Sequence, residues 1–199
     1  MTAEPVPFVT PEEYLKAEAV AETKHEYYDG QIFAMSGASL EHNQISQSIG
    51  GQLYLQLRGG RCRSFAADLR VKVEASGLYT YPDLVTVCGE IERDPLERNT
   101  LTNPTLIVKV LSLSTEDYDR GRKFMQYRRI DSLKDYLLVS QEKPWVVHFS
   151  RQSDGRWILT EFGDMGACVK LPSVGVELRL SDIYENVAFA AGESGEPTI

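Results

Sequence analysis

The segment "TLIVKVLS", residues 105–112, constrains the fold most, because it is apolar on both of its faces. A short, continuous run of Leu, Ile and Val is typical of a central β-strand that is covered on both sides. Lys109 lies in the middle of this run. Because burial of an unpaired charge is strongly unfavourable, the Lys109 ammonium group needs an anionic partner inside the protein.

The segments around this strand predict a mixed α/β fold, in which helices pack on a mixed sheet with added antiparallel hairpins. Periodicity and turn residues give the assignments. The predicted helices start after Thr10, cover 42–57 and lie in "DRGRKFMQYRRI". The predicted strands lie in "DLRVKVEA", "YPDLVTVCG" and "KDYLLVS", in hairpins turned at Asp29-Gly30 and Asp154-Gly155, and in an antiparallel sheet within "ACVKLPSVGVELRLSDIY". The polar segment "EIERDPLERNTLTNP" predicts a loop or a short irregular helix. We expect one domain over residues 1–189 and a disordered tail over 190–199.

Composition narrows the classes of function. The net charge of −8 argues against non-specific wrapping of nucleic acid, although two local basic patches, "RGGRCR" and "DRGRKFMQYRR", stand out. Three cysteines lie far apart without a Cys-x-x-Cys pair, which predicts neither a zinc site nor a disulfide. We expect a reducing, cytoplasmic location, because the sequence shows no secretion signal and no membrane-spanning segment.

Two residues could carry chemistry. Asp83 begins an apolar strand, where a carboxylate is unfavourable unless it is paired or bound to a metal ion. Lys123 borders the buried stripe of its helix and shares a face with Tyr127. A turn aspartate and a solvated lysine are the alternative interpretations. Taken together, the two fit phosphodiester hydrolysis, which needs carboxylates for Mg²⁺ and a cation near the developing negative charge.

The chain resembles the Uma family of putative restriction endonucleases, a branch of the PD-(D/E)XK nuclease superfamily. The resemblance rests on "HEYYDGQIFAMSGAS" followed by His42, and on "DLRV", "YPDLVTV", "LIVKVLSLST", "DYDRGRK", "QYRRIDSLKDYLLV" and "LPSVGVEL". It implies a restriction-endonuclease-like core, metal-dependent cleavage of DNA and a Mg²⁺ or Mn²⁺ cofactor.

The resemblance also assigns candidate residues. Asp83 matches the metal-binding aspartate of the family's "PD" step, and Lys123 matches the catalytic helix lysine. Glu26 and His42 match positions near the catalytic site, and Asp68 matches a frequent aspartate of the first core strand. A helix-surface histidine is an equal alternative for His42, and a purely structural role is favoured for Glu26 and Asp68.

Lys109 departs from the family pattern, because relatives carry a glutamate at this place. The change replaces a two-carboxylate site of formal charge −2 by an aspartate and a lysine of formal charge 0. Two unit charges 4 Å apart interact by about 4 kcal/mol at an intermediate dielectric, so a divalent ion loses an attraction and gains a repulsion. We therefore hypothesise that Lys109 pairs with Asp83 and occupies or borders the metal position.

Three functions follow from these observations. The first is a DNA endonuclease that Lys109 impairs, and the second is a nuclease-fold module that binds nucleic acid without cutting. The third is a structural or partner-binding protein without nucleic acid, which the net charge of −8 keeps open. We expect DNA as a partner and no association with a membrane. We also expect a homodimer, because duplex DNA has pseudo-twofold symmetry.

Overall fold

The computed structural model describes residues 8–35, 37–112 and 119–189. Two longer helices are α1 (Pro11–Glu18) and α2 (Leu40–Leu57), and three short helical segments are a π-helical turn (Asp119–Lys123), Phe124–Tyr127 and Leu180–Ile183. The strands are β1 (His25–Tyr28), β2 (Gln31–Ala34), β3 (Cys62–Ala66), β4 (Arg70–Val73), β5 (Leu78–Thr80), β6 (Leu84–Cys88), β7 (Thr100–Leu101), β8 (Leu106–Leu111), β9 (Asp135–Ser140), β10 (Val146–Arg151), β11 (Trp157–Phe162), β12 (Cys168–Leu171) and β13 (Val176–Arg179).

The strands form three sheets. A six-stranded sheet has the order β11-β10-β9-β8-β6-β3, and a five-stranded sheet has the order β2-β1-β5-β4-β7. The third sheet is the hairpin of β12 and β13. In the large sheet, β8 pairs in parallel with β9 and antiparallel with β6. The protein is therefore mixed α/β, as the sequence predicts.

Strand β8 is the centre of the fold, since every residue of this strand is buried. On one face, Val108 and Val110 join a core with the apolar side of α2. On the other face, Ile107 and Leu111 join a second core with Tyr127 and with β4 of the five-stranded sheet. The prediction of a central strand covered on both sides is confirmed.

Helix α2 continues over 18 residues through the internal Gly50-Gly51 pair. A Cβ atom added at Gly50 would make an ordinary van der Waals contact of 3.4 Å with the Leu84 Cδ2 atom, so Gly50 faces β6 without being required by the packing there. Ser39 caps the helix by accepting a hydrogen bond from the His42 backbone N–H. This cap fixes His42 in the first turn, beside the start of β6.

Both predicted hairpins are present. Asp29 and Gly30 have φ angles of 49° and 76°, which is the geometry of a tight β1–β2 turn, and Gly155 has a φ of 83° in the β10–β11 turn. No helix in the described part of the chain combines the length and apolar character that a membrane crossing requires. The tail over 190–199 lies outside the described residues, and one domain over 1–189 stays a prediction.

Two sequence-based assignments are corrected. Strands β3 and β5 were not predicted, and the polar loop "EIERDPLERNTLTNP" contains β7, which pairs in parallel with β4. These strands have two to five residues and lack a clear alternation of apolar and polar positions.

The prediction that no disulfide forms is also wrong. Cys62 and Cys88 are bonded although they lie 26 residues apart in the chain. They face each other because β3 pairs antiparallel with β6 in a register that places Cys62 opposite Cys88. Since β3 could not be recognised from its sequence, neither could this proximity.

Candidate functional site

Asp83 lies at the start of β6, where the β6–β8 pairing fixes its position. Its backbone N–H donates to the Val108 carbonyl oxygen at 3.1 Å. Its side-chain Oδ2 atom accepts a hydrogen bond from the Val110 backbone N–H at 2.7 Å. The carboxylate therefore lies against the backbone of β8, one residue from Lys109.

Lys109 forms a buried ion pair with Asp83. The Lys109 Nζ atom lies 3.1 Å from Asp83 Oδ2 and 3.2 Å from Asp83 Oδ1. The two side chains are only 7% and 8% exposed. The pairing that the sequence hypothesis required is present, and it explains how an ammonium group is accommodated in a fully buried strand.

His42 completes what we call the Asp83 cluster, which consists of Asp83, Lys109 and His42. The His42 Nε2 atom lies 3.4 Å from Asp83 Oδ1. Burial raises the pKa of the Asp83 carboxyl, but Lys109 and the hydrogen bonds from His42 and the Val110 N–H outweigh burial and lower this pKa to about 2. Both oxygens of Asp83 thus have close donors.

A second group of charges, the Lys123 cluster, consists of Lys123, Glu26 and Asp119. The Lys123 Nζ atom lies 2.6 Å from Glu26 Oε1 and 3.3 Å from Asp119 Oδ1. Burial lowers the pKa of Lys123, but the two carboxylates outweigh burial and raise it. Lys123 is therefore a protonated, buried cation with two anionic neighbours.

The π-helical turn Asp119–Lys123 brings Lys123 inward. The sequence predicts a lysine at the border of the buried stripe that is able to point towards the sheet, and the Lys123 side chain is only 6% exposed. Asp119 begins the same turn, four residues before Lys123, and its carboxylate contacts the Lys123 ammonium group. One-turn π segments of this kind are frequent at functional sites.

Thr80 and Tyr127 connect the Lys123 cluster to the neighbouring sheet. The Thr80 Oγ1 hydroxyl donates to Glu26 Oε1 at 2.6 Å and lies 3.2 Å from the Tyr127 hydroxyl oxygen. Burial, followed by the charge of Glu26, raises the pKa of Tyr127 well above its ordinary value, so the phenol stays protonated. These contacts fix the Glu26 carboxylate on the Lys123 side of the site.

The charges of both clusters act on Tyr127 and Tyr136, two buried tyrosines whose ring centroids lie 5.3 Å apart. Of the predicted site residues, the structure joins His42, Asp83 and Lys109 in the Asp83 cluster, and Glu26 and Lys123 in the Lys123 cluster. Asp68 is elsewhere, since its side chain is 92% exposed and pairs with Lys24.

The Asp83 cluster does not fit a Mg²⁺ ion. Such an ion needs several oxygen ligands at about 2.1 Å, and an ammonium group already contacts both Asp83 oxygens. Across residues 8–35, 37–112 and 119–189, no group of three or more His, Cys, Asp or Glu side chains could hold a metal ion. We therefore derive no step through a metal for the chain with Lys109 in place.

Comparisons with known proteins decide the family. Residues 11–181 match the model of the Uma2 family, described as "Putative restriction endonuclease". This chain belongs to the Uma2 family. Two uncharacterized proteins of Synechocystis sp. are similar to it. The first is 38% identical, and the match covers 93% of this chain and 96% of the relative. The second is 35% identical, and the match covers 77% of this chain and 86% of the relative.

A solved structure shows the same fold. It is the crystal structure of a putative nuclease belonging to DUF820 from Anabaena variabilis, which is 19% identical and covers 88% of this chain and 97% of its own length. The TM-score is 0.73. This Uma2 protein thus has a nuclease-like fold.

Sequence reasoning missed two residues of the site. Asp119 could have been found, because it lies four residues before Lys123 in a predicted helix. Thr80 could not, because it lies on β5, which the sequence did not reveal, and its partner Glu26 is 54 residues away in the chain.

Proposed function

We propose that this Uma2 protein is a DNA endonuclease in which Lys109 attenuates hydrolysis of the phosphodiester backbone. The observation that carries the proposal is the buried Lys109–Asp83 ion pair, which lies where the family resemblance expects two carboxylates. Family membership and the nuclease-like fold support DNA as the polymer on which the site acts.

The chain's own residues suit parts of this reaction. Lys123 is a buried, protonated cation that Glu26 and Asp119 hold in place, and such a group stabilises negative charge at a phosphate oxygen. Asp83 is ionised over the physiological pH range because its pKa is about 2. Lys109 neutralises this carboxylate, so the Asp83 cluster attracts divalent cations weakly.

A second candidate is a nuclease-fold protein that binds DNA without cutting it. One observation favours it: the oxygens of Asp83 are engaged by Lys109, by His42 and by the Val110 N–H. A carboxylate with this set of donors has little remaining capacity for a metal ion. The two candidates differ in whether any cleavage persists in the natural chain.

Plasmid nicking with Mg²⁺ or Mn²⁺ tests the proposal. We expect slow cleavage by the natural protein and an increase of at least about 10-fold in Lys109→Glu, which restores a second carboxylate. Lys109→Gln is the matched control, because it removes the charge without adding a carboxylate, and it should not match Lys109→Glu. Adding Asp83→Asn to Lys109→Glu should abolish the gain.

Each other outcome has a distinct meaning. Equal cleavage by the natural protein and Lys109→Glu would show that Lys109 does not attenuate hydrolysis. Cleavage by Lys109→Glu alone, or by neither protein with retained binding of duplex DNA, would favour the second candidate. If no DNA binds at low salt, DNA is not the partner.

We also propose a homodimer, because a twofold-symmetric pair of sites matches the pseudo-twofold symmetry of duplex DNA. Sedimentation equilibrium with and without a duplex oligonucleotide tests this. A monomer under both conditions would contradict it.

A further inference from the structure

A cavity of about 540 Å³ is lined by Phe124, the residue that follows Lys123 in the chain, and by side chains of the β10–β11 hairpin. Its floor is aromatic and is formed by Phe124, Phe149 and Trp157. Phe124 directly follows Lys123 in the chain and packs on the same core as Ile107 and Leu111, next to the strand position of Lys109. The cavity and the site therefore share one face of the six-stranded sheet.

The aromatic floor is held in place by contacts among its own rings. The centroids of Phe124 and Phe149 lie 4.2 Å apart in a stacked arrangement. Trp157 meets Phe124 edge to face, with centroids 5.3 Å apart and an angle of 90° between the ring planes. A floor of this kind offers a planar ligand a preformed apolar surface.

The rim of the cavity is positively charged. It contains Arg128 and Arg156, with Asp154 as its acidic group, which gives a net charge of +1 in a chain of net charge −8. Asp154 Oδ2 holds Arg156 through two contacts of 2.6 Å, to Nε and to Nη2. The exposed Arg128 makes a contact of 3.8 Å with the Met125 sulfur. A negatively charged group would thus meet the exposed Arg128 guanidinium and an Arg156 guanidinium that Asp154 already pairs.

Trp145, which packs on the same core, also has cations beside its ring. The Arg120 guanidinium lies 4.1 Å from the centroid of the Trp145 ring, and the Lys143 ammonium lies 5.5 Å from it. Trp145 and Trp157 both pack on the core that contains Phe149. Cations beside aromatic rings are the combination with which proteins bind single-stranded nucleic acid.

We propose that the cavity binds one nucleotide of single-stranded DNA, with the base against the aromatic floor and the phosphate between Arg128 and Arg156. The proposal rests on the proposed function, because it takes DNA as the polymer. It adds a subsite that contacts an unpaired nucleotide next to Lys123. The volume lies within the range of about 300–1,000 Å³ that is usual for sites of small molecules.

Fluorescence anisotropy with a fluorescein-labelled oligodeoxythymidylate of ten nucleotides tests the proposal. We expect Trp157→Leu to weaken binding by about 10-fold, since a base stacked on an aromatic ring contributes substantially. We expect Arg128→Gln to weaken binding and to reduce the slope of log affinity against log salt by about 0.7, the value for one phosphate contact on a single strand. The matched control is Arg179→Gln, which replaces an exposed arginine of β13 and should change neither the affinity nor the salt slope.

The two kinds of variant separate folding from binding. Arg128 is exposed, so its replacement leaves the core intact, and thermal unfolding shows whether Trp157→Leu remains folded. If Arg128→Gln reduces affinity no more than Arg179→Gln does, or if its salt slope is unchanged, the cavity is not the binding site. The plasmid assay with Lys109→Glu does not depend on that result. The anisotropy experiment therefore tests the subsite, and the plasmid assay tests the endonuclease activity.

Discussion

The Asp83 cluster and the Lys123 cluster contain the same kinds of group in different proportions. Lys123 has two carboxylate neighbours, Glu26 and Asp119, whereas Lys109 contacts the single carboxylate of Asp83. Asp83 also accepts a backbone hydrogen bond from Val110, and Asp119 Oδ2 has no hydrogen-bond donor among the described residues. In the first cluster one lysine faces one carboxylate, and in the second one lysine faces two.

This difference shows how a charged side chain is accommodated in the central strand. Lys109 occupies a fully buried position of β8. Its ammonium group is tolerated because Asp83 lies within 3.2 Å of it. The ion pair therefore lets the apolar core of the sheet enclose a lysine side chain.

The largest expected effect is that of Asp83→Asn, which leaves the Lys109 ammonium group buried without its carboxylate. We expect a loss of about 3–5 kcal/mol in the free energy of unfolding, measured by urea titration. The double variant Asp83→Asn, Lys109→Met should recover most of this loss, because it removes the stranded charge. Asp68→Asn, at an exposed position, is the control. Equal free energies of unfolding for Asp83→Asn and Asp68→Asn would show that Asp83 does not compensate the buried charge of Lys109.

Lys123→Met should have the next largest effect, because it leaves Glu26 and Asp119 without the cation between them. We expect a loss of about 3 kcal/mol at neutral pH. Because the pKa of Lys123 is raised above 10.5 in the folded protein, its contribution is complete below that value and is lost as the pH rises through the raised pKa, so the difference between the natural protein and Lys123→Met should shrink at alkaline pH. Lys134→Met, at an exposed lysine, should be close to neutral. A loss that does not depend on pH would show that the Lys123 cluster is not held by charge.

Acidification should weaken the Asp83 cluster. Because the pKa of Asp83 is lowered from 3.8 to about 2, its contribution is complete above about pH 4 and is lost as the pH falls through about 2. The contribution is about 2 kcal/mol. Between pH 5 and pH 2, the free energy of unfolding should decrease more for the natural protein than for Lys109→Met. Equal decreases would show that Lys109 does not lower the pKa of Asp83.

Thr80→Val should have the smallest effect, because it removes one hydrogen bond to Glu26. We expect a loss of about 1 kcal/mol in the free energy of unfolding. Thr86→Val is a matched control, since the Thr86 hydroxyl is buried without a hydrogen-bond partner in the described ranges and its loss should be neutral or stabilising. If the two variants behave alike, the Thr80–Glu26 contact contributes nothing measurable.

Much of the fold follows from local sequence. The helix start at Thr10, the turn at Asp29-Gly30 and the fully buried strand β8 are all present where the residues predict them. The helix start and the turn depend on interactions within a few residues, namely a capping hydrogen bond and positive φ angles, whereas β8 is recognised by its continuous apolar run. The short strands β3, β5 and β7 were not predicted, because their pairing partners and not their own residues define them.

The sequence by itself determined that Lys109 lies in a buried strand and therefore needs an anion, because an unpaired charge cannot stay in an apolar interior. Tertiary structure decided which groups meet. The register of β6 against β8 brings Asp83 to Lys109, and the pairing of β1 with β5 brings Thr80 near Glu26. Such contacts join segments 26 and 54 residues apart, and strand register, which depends on the whole sheet, sets them.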